Sequence, residues 1–349
     1  MNKPLVSIII VTYNQADYLA TCLDSVLQNS YANFEVIVVD SNSADGSQEI
    51  LQKWQKKTPQ KFKLVLAKNN LGYAAGNNLA VQQAKGKYLF LLNADTQVTK
   101  HFLKPLVSKA ETNLEIAACQ PAVYLLKQPH KLNLTGKVAH YLGFDWLRDY
   151  QAAKLPQAGP IVSISGCGVL LRKTAFKQAH GLAANYFLYY EDSDLSWRLR
   201  LLGFKLWFVP ESKIYHDYKF KPVTTNLAFQ TKLFFCERNR LLTILKNYQL
   251  KTLWLLLPMI IIGEIAMMVY ASLSGWGVAK LKTWPAVITQ LNTLLRQRRK
   301  IQALRQVNDQ QIMQKFHSRL GFIYADHLVV KYLLNPVLSA YYQLIKILV

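Results

Sequence analysis

The stretch that most constrains the fold is an unbroken apolar run that ends in a carboxylate. The run YLFLL occupies residues 88–92, and Asn93, Ala94 and Asp95 follow directly. Five apolar residues are too few for an ordinary helix, and their lack of alternation is typical of a strand buried on both faces of a parallel sheet. Asp95 would then lie at the carboxyl edge of that sheet, where ligands of open α/β sheets bind. The pattern alone leaves two roles open for Asp95, a metal or ligand contact and a simple turn residue.

The same arrangement recurs along the first two thirds of the chain, where apolar strands alternate with helical patterns. Leu5–Val11 runs into Thr12, Tyr13 and Asn14, and Phe34–Val39 runs into Asp40. Such alternation predicts an α/β fold with a mainly parallel sheet and right-handed crossovers. Further strands are predicted at residues 64–67, 87–92 and 205–209, and helices from Ala16, around residues 50–54 and over residues 76–84.

Two nucleotide-binding motifs are absent. No G-x-G-x-x-G follows the first strand and no phosphate-loop lysine signature is present, which argues against a nicotinamide dehydrogenase and a phosphate-loop ATPase. The polar loops at residues 12–14 and 40–45 offer hydrogen bonds to a nucleobase and ribose, or they only cap helices. Residues 69–78, NNLGYAAGNN, are suited to a sugar or diphosphate lying across the loop, because small residues allow close approach and four asparagines donate and accept. A glycine-rich turn that starts a helix is the alternative.

A further group of polar residues follows the aromatic run at 186–190. Glu191, Asp192 and Asp194 fall at the start of a helix that Gly203 can end, and the helix dipole favours ionised carboxylates there. Helix capping explains one acid, most simply Asp194, but not all three. His216 follows a predicted strand and precedes an acid, so it is either a structural histidine or a metal ligand.

The two ends of the chain differ in charge. Residues 1–220 hold 25 Lys/Arg against 16 Asp/Glu, whereas residues 221–349 hold 17 against 4, within a net charge of +22. A basic segment that is also apolar favours an anionic membrane surface over nucleic acid. We therefore predict a sheet domain over residues 1–225 and a helical, membrane-associating region over residues 226–349. Four scattered cysteines match neither a disulfide framework nor a metal site and indicate a reducing compartment.

Together, these motifs resemble those of family 2 glycosyltransferases of the GT-A fold. The matching segments occur in the family's order: VTYN at 11–14, DSNSADG at 40–46, the asparagine-rich loop at 70–78, NAD at 93–95, and EDSD at 191–194 followed by Arg198 and Gly203. They cover about residues 5–220, and five in register are far more specific than any one alone. The asparagine-rich loop and the Asn-x-Asp form are most similar to the bacterial rhamnosyltransferase branch that builds cell-surface polysaccharide. The implied fold is a Rossmann-like, mainly parallel sheet flanked by helices.

The resemblance implies a role for each matching residue. Asp192 would be the catalytic base, and Glu191 and Asp194 would position the acceptor or hold the helix start, with Arg198 pairing to them. Asp95 would coordinate Mg²⁺ or Mn²⁺, with His216 as an additional ligand. Asp40 would accept a hydrogen bond from the imide of uracil or thymine. The implied nucleotide-sugar contacts are Thr12, Tyr13, Asn14, Asp40, Asn42, Asn70, Gly72, Asn77, Asn93 and Asp95.

The implied reaction is an inverting transfer of a sugar, rhamnose favoured, from a dTDP- or UDP-sugar to a lipid-linked or cell-surface polysaccharide acceptor. The site then has to neutralise the departing phosphates and deprotonate the acceptor hydroxyl, so we expect Asp40, Asp95 and Asp192 to meet around one cleft. Asn93 departs from the usual Asp-x-Asp, and because an amide binds a cation less well than a carboxylate, the metal is expected to be held weakly or to arrive with the donor. The Gln-x-x-Arg-Trp motif of processive synthases is absent, so we expect one or a few sugars per encounter.

The apolar segment 253–273 is long enough to cross a bilayer, but Pro258, Gly263 and Glu264 interrupt it. Basic residues flank both ends, so both prefer the cytoplasmic side, and a re-entrant or surface-lying helical pair is expected rather than a span. The expected location is the cytoplasmic face of the cell membrane. The alternative is a soluble helical domain whose basic face is exposed to water. The residues expected to meet anionic lipid headgroups are Arg296, Arg298, Arg299, Lys300 and Arg305, with residues 328–349 as a second apolar contact.

Two other functions stay open at this point. An inactive sugar-nucleotide-binding or assembly protein of the same fold is compatible with Asn93, and a basic nucleic-acid-binding protein is compatible with the charge alone. The basic region has no recognisable nucleic-acid recognition module, so no nucleic-acid partner is expected. A homo-oligomer is a further option.

Overall fold

The computed structural model describes residues 3–219, 226–321 and 328–349. These residues form two compact units. The sheet unit comprises residues 3–137, 147–199 and 204–219, and the helical unit comprises residues 138–146, 200–203 and the described residues from 226 onwards. The boundary predicted after residue 225 adjoins residues 220–225, which lie outside the described residues.

The strands follow one another along the chain as β1 (Val6–Thr12), β2 (Phe34–Asp40), β3 (Phe62–Leu66), β4 (Tyr88–Asn93), β5 (Thr96–Val98), β6 (Ile116–Leu125), β7 (Gln128–Leu134), β8 (Lys137–Ala139), β9 (Asp145–Leu147), β10 (Gly159–Pro160), β11 (Gly168–Arg172) and β12 (Lys205–His216). The main sheet has the order β10-β12-β6-β11-β4-β1-β2-β3, with β5 paired to β12 and β7 paired to β6. β1 pairs in parallel with β2 and β4, β2 with β3, and β6 with β12, whereas β11 runs antiparallel to both of its neighbours. The predicted α/β fold with a mainly parallel sheet is confirmed.

The apolar run YLFLL at residues 88–92 forms β4, in the interior of the sheet. Every side chain from Tyr88 to Leu92 is at most 1% exposed, and β4 lies between β1 and β11. Both faces of the strand are therefore covered, which explains why its sequence does not alternate. Each large apolar side chain buried in this way contributes about 1.5–3 kcal/mol, so this short strand anchors the edge at which it ends.

The helices of the sheet unit include the four that the sequence predicts and two further helices. They are α1 (Ala16–Leu27), α2 (Ser47–Lys57), α3 (Gly72–Gln83), α4 (Leu103–Thr112), α5 (Lys173–Gln178) and α6 (Glu191–Leu201), with a 3₁₀ turn at Ala184–Tyr186. The four predicted helices are α1, α2, α3 and α6, and the two further ones are α4 and α5. Gly203 follows α6 with a φ of +81°, the left-handed conformation expected of a residue that ends a helix.

Two elements are longer than the sequence pattern predicts. α3 begins at Gly72 rather than at residue 76, because the Asn70 side-chain oxygen accepts the Gly72 N–H at 2.9 Å and starts the helix a turn earlier. β12 continues through Pro210 to His216 instead of ending at Val209. Its register against β6 shifts between Val209 and Lys213, and such a bulge tolerates a proline that donates no ladder hydrogen bond.

Gly76 sets how closely α3 approaches β1. A Cβ at this position would lie 2.6 Å from Val11 Cγ1, closer than carbon atoms can approach without displacement. We expect Gly76→Ala to lower the free energy of unfolding by about 1–3 kcal/mol, because overpacking outweighs the roughly 1 kcal/mol gain in helix propensity. Gly263→Ala is the matched control, since nothing lies within 4 Å of its added Cβ. Equal stability changes for the two variants in denaturant titrations would contradict this packing argument.

The helical unit contains the basic, apolar part of the chain. Its helices are α7 (Leu227–Asn247), α8 (Leu250–Leu273), α9 (Gly277–Leu281), α10 (Thr283–Ile288), α11 (Leu291–Leu304), α12 (Asp309–Met313) and α13 (Asn335–Leu348), the last preceded by a π-helical turn at Val330–Leu334. α8 covers the predicted apolar segment. Within the described ranges it is the one helix that is long and apolar enough to cross a membrane, a statement about length and composition alone.

Two of the arginines expected at lipid headgroups have a different role. Arg298 donates to the backbone oxygens of Leu245 and Tyr248 at 2.6 and 2.5 Å, and Arg305 donates to that of Asn247. These carbonyls lie at the end of α7, where a helix leaves its carbonyl groups unpaired and carries partial negative charge. The lipid contact predicted for Arg298 and Arg305 is therefore wrong. Arg296, Arg299 and Lys300 of the same set are exposed.

Four charged residues from three helices meet inside the helical unit, and three of them are buried. Glu237 of α7 lies 3.0 Å from Arg240 and 2.5 Å from Lys280 of α9, and Glu264 of α8 pairs with the same two cations. Burial alone would raise the pKa of Glu237, but Arg240 and Lys280 outweigh it and lower the pKa from 4.5 to about 2. This cluster, Glu237–Arg240–Glu264–Lys280, is called the charge cluster below.

The charge cluster predicts acid lability. Because the folded-state pKa of Glu237 lies below its unfolded value, its stabilisation is present above about pH 4.5 and is lost as the pH falls towards 2. A shift of this size corresponds to stabilisation on the order of 3 kcal/mol at neutral pH. In calorimetry of the full chain, Glu237→Gln should lower the free energy of unfolding at pH 7. It should also make the fall of this free energy between about pH 5 and 3 less steep. An unchanged slope would show that another group governs acid unfolding.

Candidate active site

Three strand ends of the sheet unit meet at one edge of the sheet. Thr12 at the end of β1 pairs with Asp40 at the end of β2, and Val11 pairs with Asn93 at the end of β4. Because neighbouring strands lie about 4.8 Å apart, Asp40 and Asn93 on either side of β1 are about 10 Å apart. The structure therefore places residues remote in sequence side by side at the carboxyl edge of the sheet.

The loops after β1 and β2 are locked together by Asn14. Its side-chain oxygen accepts the Ala44 N–H at 2.9 Å, and its own N–H donates to Ser43 Oγ at 2.9 Å. Asn14 and Asn42 both have positive φ angles, of 51° and 66°, which asparagine adopts more readily than most residues. Tyr13, which directly precedes Asn14, is 47% exposed. These two loops thus form one preorganised wall of the edge.

Asp40 is buried at this wall and keeps one oxygen available. Oδ1 accepts the Ser43 N–H at 2.9 Å and Gln48 Nε2 at 3.0 Å. Oδ2 is also buried, and the described residues supply it with no hydrogen-bond partner. A buried carboxylate oxygen without a donor is costly, so Asp40 is suited to an N–H donor from a bound molecule.

The asparagine-rich loop binds mainly to the protein itself. The Asn70 oxygen caps Gly72, and Asn77 is 1% exposed, with Nδ2 donating to the Tyr73 backbone oxygen at 2.8 Å. Gly72 has a φ of +67°, and a Cβ there would lie 2.6 Å from the Phe187 backbone oxygen. The Asn70 side chain is exposed, and its oxygen holds the start of α3, so the sugar contact predicted for Asn70 stays a prediction. The buried Asn77 Oδ1 has no hydrogen-bond partner among the residues described.

Asp95 and His216 form the second acidic group at the edge. His216 Nδ1 lies 2.9 Å from Asn133 Oδ1, and because that oxygen only accepts, Nδ1 carries the hydrogen. Nε2 then points at Asp95 Oδ1, 3.3 Å away. In neutral His216 this places a nitrogen lone pair against a carboxylate oxygen, an arrangement that a cation between the two satisfies. The Asn133 contact fixes the ring in the orientation that a ligand histidine requires.

These two side chains fit a divalent cation that is shared with a bound diphosphate. In the part of the chain that the structure describes, no group of three His, Cys, Asp or Glu side chains could hold a metal ion. Mg²⁺ sites commonly use one or two carboxylates together with substrate phosphates, so a two-residue site is sufficient. Asn93 lies at the same edge and adds an amide rather than the second carboxylate of an Asp-x-Asp motif.

Asp192, at the start of α6, has three polar partners. Lys137 Nζ lies 2.8 Å from Oδ1, which also accepts the Ser193 N–H at 2.7 Å, and Oδ2 accepts the Gly166 N–H at 2.9 Å. The Lys137 and Asp192 side chains are 13% and 10% exposed, so the ion pair is largely shielded from water. A carboxylate has about four acceptor positions, so Oδ2 retains one for a further donor.

One short loop links Asp192 to the Asp95 edge. Gly166 holds the Asp192 carboxylate, while the backbone oxygen of the next residue, Cys167, accepts the Asn93 N–H at 3.0 Å. Burial, with Asp95 and Asp192 nearby, raises the pKa of the Cys167 thiol to about 12, so this cysteine is not a nucleophile at neutral pH. Asp192 and Asp95 are thus brought to the same edge of the sheet unit.

The two acids beside Asp192 differ in their surroundings. Asp194 has no exposed surface and forms an ion pair with Arg198, which also donates to the Gly181 backbone oxygen at 2.7 Å. Of the two roles left open by the sequence, Asp194 therefore has the structural one, and the acceptor contact predicted for it is wrong. Glu191 is 6% exposed. It lies near Tyr73, because the burial of Tyr73 and the nearby charges of Glu191 and Asp192 together raise the pKa of Tyr73 well above its ordinary value.

The backbone before α6 adopts an unusual conformation. Phe187, Tyr189 and Tyr190 all have positive φ angles between 65° and 68°, which bulky residues rarely adopt. Such strain persists only where surrounding contacts enforce it, and it is concentrated at functional sites. The strained turn places Glu191 and Asp192 at the first residues of α6.

Sequence reasoning missed three contributors to the edge. Lys137 and Asn133 lie in the region between residues 100 and 160, where no motif draws attention to them. Gly166 likewise lies outside the motifs that the sequence offers, although its N–H donates to Asp192. No local signal identifies these partners, because each contact joins residues 26 to 83 positions apart.

The fold and the edge define a GT-A domain. The chain is similar in structure to GalNAc-T7, solved with UDP, GalNAc and Mn²⁺, with a TM-score of 0.60 and 15% identity over 74% of this chain and 51% of that chain. It is also similar to the mannosyltransferase PcManGT of Pyrobaculum calidifontis, solved with GDP-Man and Mn²⁺, with a TM-score of 0.55 and 17% identity over 87% and 86% of the two chains. The predicted GT-A fold is confirmed by these likenesses.

The sequence comparisons identify the family. Residues 7–179, about half of the chain, match the family model described as Glycosyl transferase family 2. The chain is 37% identical over 102 residues to the putative teichuronic acid biosynthesis glycosyltransferase TuaG of Bacillus subtilis, covering 29% of this chain and 40% of the relative. It is 26% identical over 211 residues to the poly-beta-1,6-N-acetyl-D-glucosamine synthase of Staphylococcus epidermidis, covering 59% and 48%. These matches span less than half the length of either relative.

Proposed function

We propose that the protein is an inverting, metal-dependent glycosyltransferase that moves a sugar from a dTDP- or UDP-sugar to a lipid-linked or cell-surface polysaccharide. The observation that carries the proposal is the placement of Asp40, Asp95 and Asp192 along one edge of the sheet unit, with free acceptor capacity at each. Two relatives are named for teichuronic acid biosynthesis and for poly-beta-1,6-N-acetyl-D-glucosamine synthesis, which supports a polysaccharide acceptor.

The wall formed by the first two loops binds the nucleotide in this proposal. The unpaired Oδ2 of Asp40 accepts the imide N–H of uracil or thymine, and the exposed ring of Tyr13 lies beside the base. Thr12, Asn14 and Asn42 complete the wall, and Gly72 and Asn77 border the sugar side. A hydrogen bond to a charged group contributes about 1.5–3 kcal/mol, enough to select a base that carries this donor.

Asp95 and His216 would hold Mg²⁺ or Mn²⁺ beside the diphosphate. The ion, when bound, supplies charge neutralisation for the departing phosphates. The chain's own contribution is the orientation of the two ligands, since Asn133 fixes the His216 ring. With an amide at Asn93, we expect the ion to bind appreciably only together with the nucleotide.

Asp192 is the base that takes the proton of the acceptor hydroxyl. Lys137, Ser193 and Gly166 hold its carboxylate in place. The remaining acceptor position on Oδ2 accepts a hydrogen bond from the acceptor hydroxyl and then takes its proton. As the acceptor oxygen bonds to the anomeric carbon, the bond to the diphosphate breaks on the opposite face, and the anomeric configuration inverts. Glu191, one residue away, is the acceptor contact.

The sugar that we favour is rhamnose. Its support is the likeness of the NNLGYAAGNN loop and of the NAD motif to the rhamnosyltransferase branch.

The test is transfer from a panel of donors by the full chain in detergent. The panel contains dTDP-rhamnose, UDP-glucose, UDP-N-acetylglucosamine and GDP-mannose, each with Mn²⁺, with Mg²⁺ or with EDTA, and envelope lipids as acceptors. We expect nucleoside diphosphate release from a thymidine or uridine donor only with metal, and a product of inverted configuration by NMR. Thermal stabilisation by a donor without any release would instead identify an inactive sugar-nucleotide-binding protein, the alternative that Asn93 keeps open.

A further inference from the structure

We propose that the helical unit binds in the plane of an anionic lipid surface, with α8 lying along that surface rather than crossing the bilayer. The inference concerns the helical unit alone and does not depend on the transferase reaction. It rests on which side chains this unit exposes, on where its carboxylates lie, and on the partners of Glu264.

The two units differ sharply in exposed apolar surface. Among the described residues, four large apolar side chains are strongly exposed in residues 3–219, and twenty-five in residues 226–349. On α8 they form a stripe along the whole helix, with Trp254 72%, Ile261 50%, Ile265 61% and Leu273 85% exposed. Exposure on this scale is typical of a surface that binds a membrane or a partner.

Other helices of the unit extend the apolar surface. The turn before α13 exposes Tyr332 and Leu333 at 67% and 65%, and α13 itself exposes Ile347 at 77%. α13 packs against α8, since Tyr341 Oη donates to the Leu255 backbone oxygen at 2.6 Å. The two helices therefore present their apolar residues from one packed assembly.

Among the described residues 226–349, the strongly exposed charged side chains are all cationic. The three carboxylates among described residues 226–349 are all paired: buried Glu237 and partly buried Glu264 in the charge cluster, and buried Asp309 with Arg305 at 2.5 Å. The exposed basic residues are Lys251, Lys282, Arg296, Arg299, Lys300, Lys315, Arg319 and Lys331. A surface that combines large apolar residues with unbalanced positive charge is complementary to anionic lipid.

The charge also argues against a second copy of the chain as the occupant. Two such faces would bring like charges together in a desolvated interface, which is unfavourable. An anionic lipid surface supplies the missing negative charge and accepts apolar side chains at the same time. Lipid is therefore the occupant that fits both properties of the face.

The charge cluster determines the orientation of α8. Glu264 lies near the middle of α8 and pairs with Arg240 and Lys280, which belong to α7 and α9. If α8 crossed the bilayer, all four charges of the cluster would lie at hydrocarbon depth, where each charged side chain is costly. If α8 lies in the plane, the cluster stays on the protein side of the helix and the apolar stripe alone enters the lipid.

The depth of α8 in vesicles tests this orientation. Trp254, Ile261, Ile265 and Leu273 are replaced singly by cysteine in a Cys236→Ser background, since the other cysteines are buried, and labelled with a depth-sensitive fluorophore. An in-plane helix predicts similar depths of about 5–10 Å for all four positions. A crossing helix predicts shallow ends and a middle about 15 Å deep, and that profile would overturn the proposal. Leu114→Cys in the sheet unit is the control expected to stay in water.

Flotation with vesicles tests the lipid charge. The full chain should bind vesicles of phosphatidylcholine with phosphatidylglycerol much more strongly than phosphatidylcholine alone. The triple change Arg296→Gln, Arg299→Gln and Lys300→Gln should weaken binding to the anionic vesicles by about 100-fold, at roughly fivefold per cation. The matched triple change of exposed lysines in the sheet unit, Lys53→Gln, Lys56→Gln and Lys104→Gln, should have little effect. Equal effects of the two triple changes, or no vesicle binding at all, would overturn the proposal.

Discussion

Replacing Asp192 by asparagine is expected to lower the turnover number of sugar transfer by about 10³-fold, within the range that a general base contributes. Asparagine keeps the size of the side chain and an oxygen for the Gly166 N–H, but it cannot take a proton. The loss should therefore appear in kcat, whereas the affinity for the donor stays within about twofold, because the proposed nucleotide contacts lie at the ends of β1, β2 and β4.

The change also removes the anionic partner of Lys137, so a second variant is needed to separate the loss of the ion pair from the loss of the base. Lys137→Met removes the other half of the pair and keeps the carboxylate, and it should reduce turnover less than Asp192→Asn does. Circular dichroism should confirm that both variants are folded. Near-normal turnover by folded Asp192→Asn would end the assignment of Asp192 as the base.

Replacing Asp95 by asparagine is expected to reduce kcat/KM by about 10³-fold, because the cation that neutralises the diphosphate contributes several kcal/mol. The affinity for Mn²⁺ in the presence of UDP should fall in parallel, as measured by electron paramagnetic resonance. His216→Ala removes the neighbouring ligand, 3.3 Å from Asp95, and should have a smaller effect of about 10–100-fold.

Asp24→Asn is a matched control, since it removes one exposed carboxylate from the same unit. Its activity and Mn²⁺ binding should equal those of the unchanged protein. Full activity of Asp95→Asn in EDTA would show that transfer is metal-independent and would remove Asp95 from the mechanism.

Local sequence predicted the elements that carry the site. The run that forms β4 and the acids that follow β2 and β4 can be recognised because burial on both faces and the strand-end position are both encoded within a few residues. The register that sets Asp40 opposite Thr12 follows from parallel pairing of those strands. The α/β class with a mainly parallel sheet was accessible for the same reason, whereas the GT-A fold followed from the resemblance of the five motifs to family 2 glycosyltransferases.

Long-range contacts were not accessible in this way. The asparagines at 70 and 77 suggest sugar binding by composition, yet their amides hold the helix start and the loop backbone. Asp194 resembles its neighbours in sequence, but only the structure shows that Arg198 buries it. Arg298 and Arg305 belong to an exposed-looking basic run, although both cap the end of α7. In each case a partner distant in the chain or on the next turn decides the role.

In the proposed mechanism Asp40, Asp95 and Asp192 serve one donor site with separate roles, and calorimetric titration with UDP and dTDP in Mn²⁺ can separate these roles. We predict that Asp40→Ala weakens binding of at least one nucleotide by about 10–100-fold, the value of a hydrogen bond to a charged group. Asp95→Asn should remove the dependence on Mn²⁺, and Asp192→Asn should bind as the unchanged protein does. Undiminished, Mn²⁺-dependent binding by both Asp40→Ala and Asp95→Asn would contradict the claim.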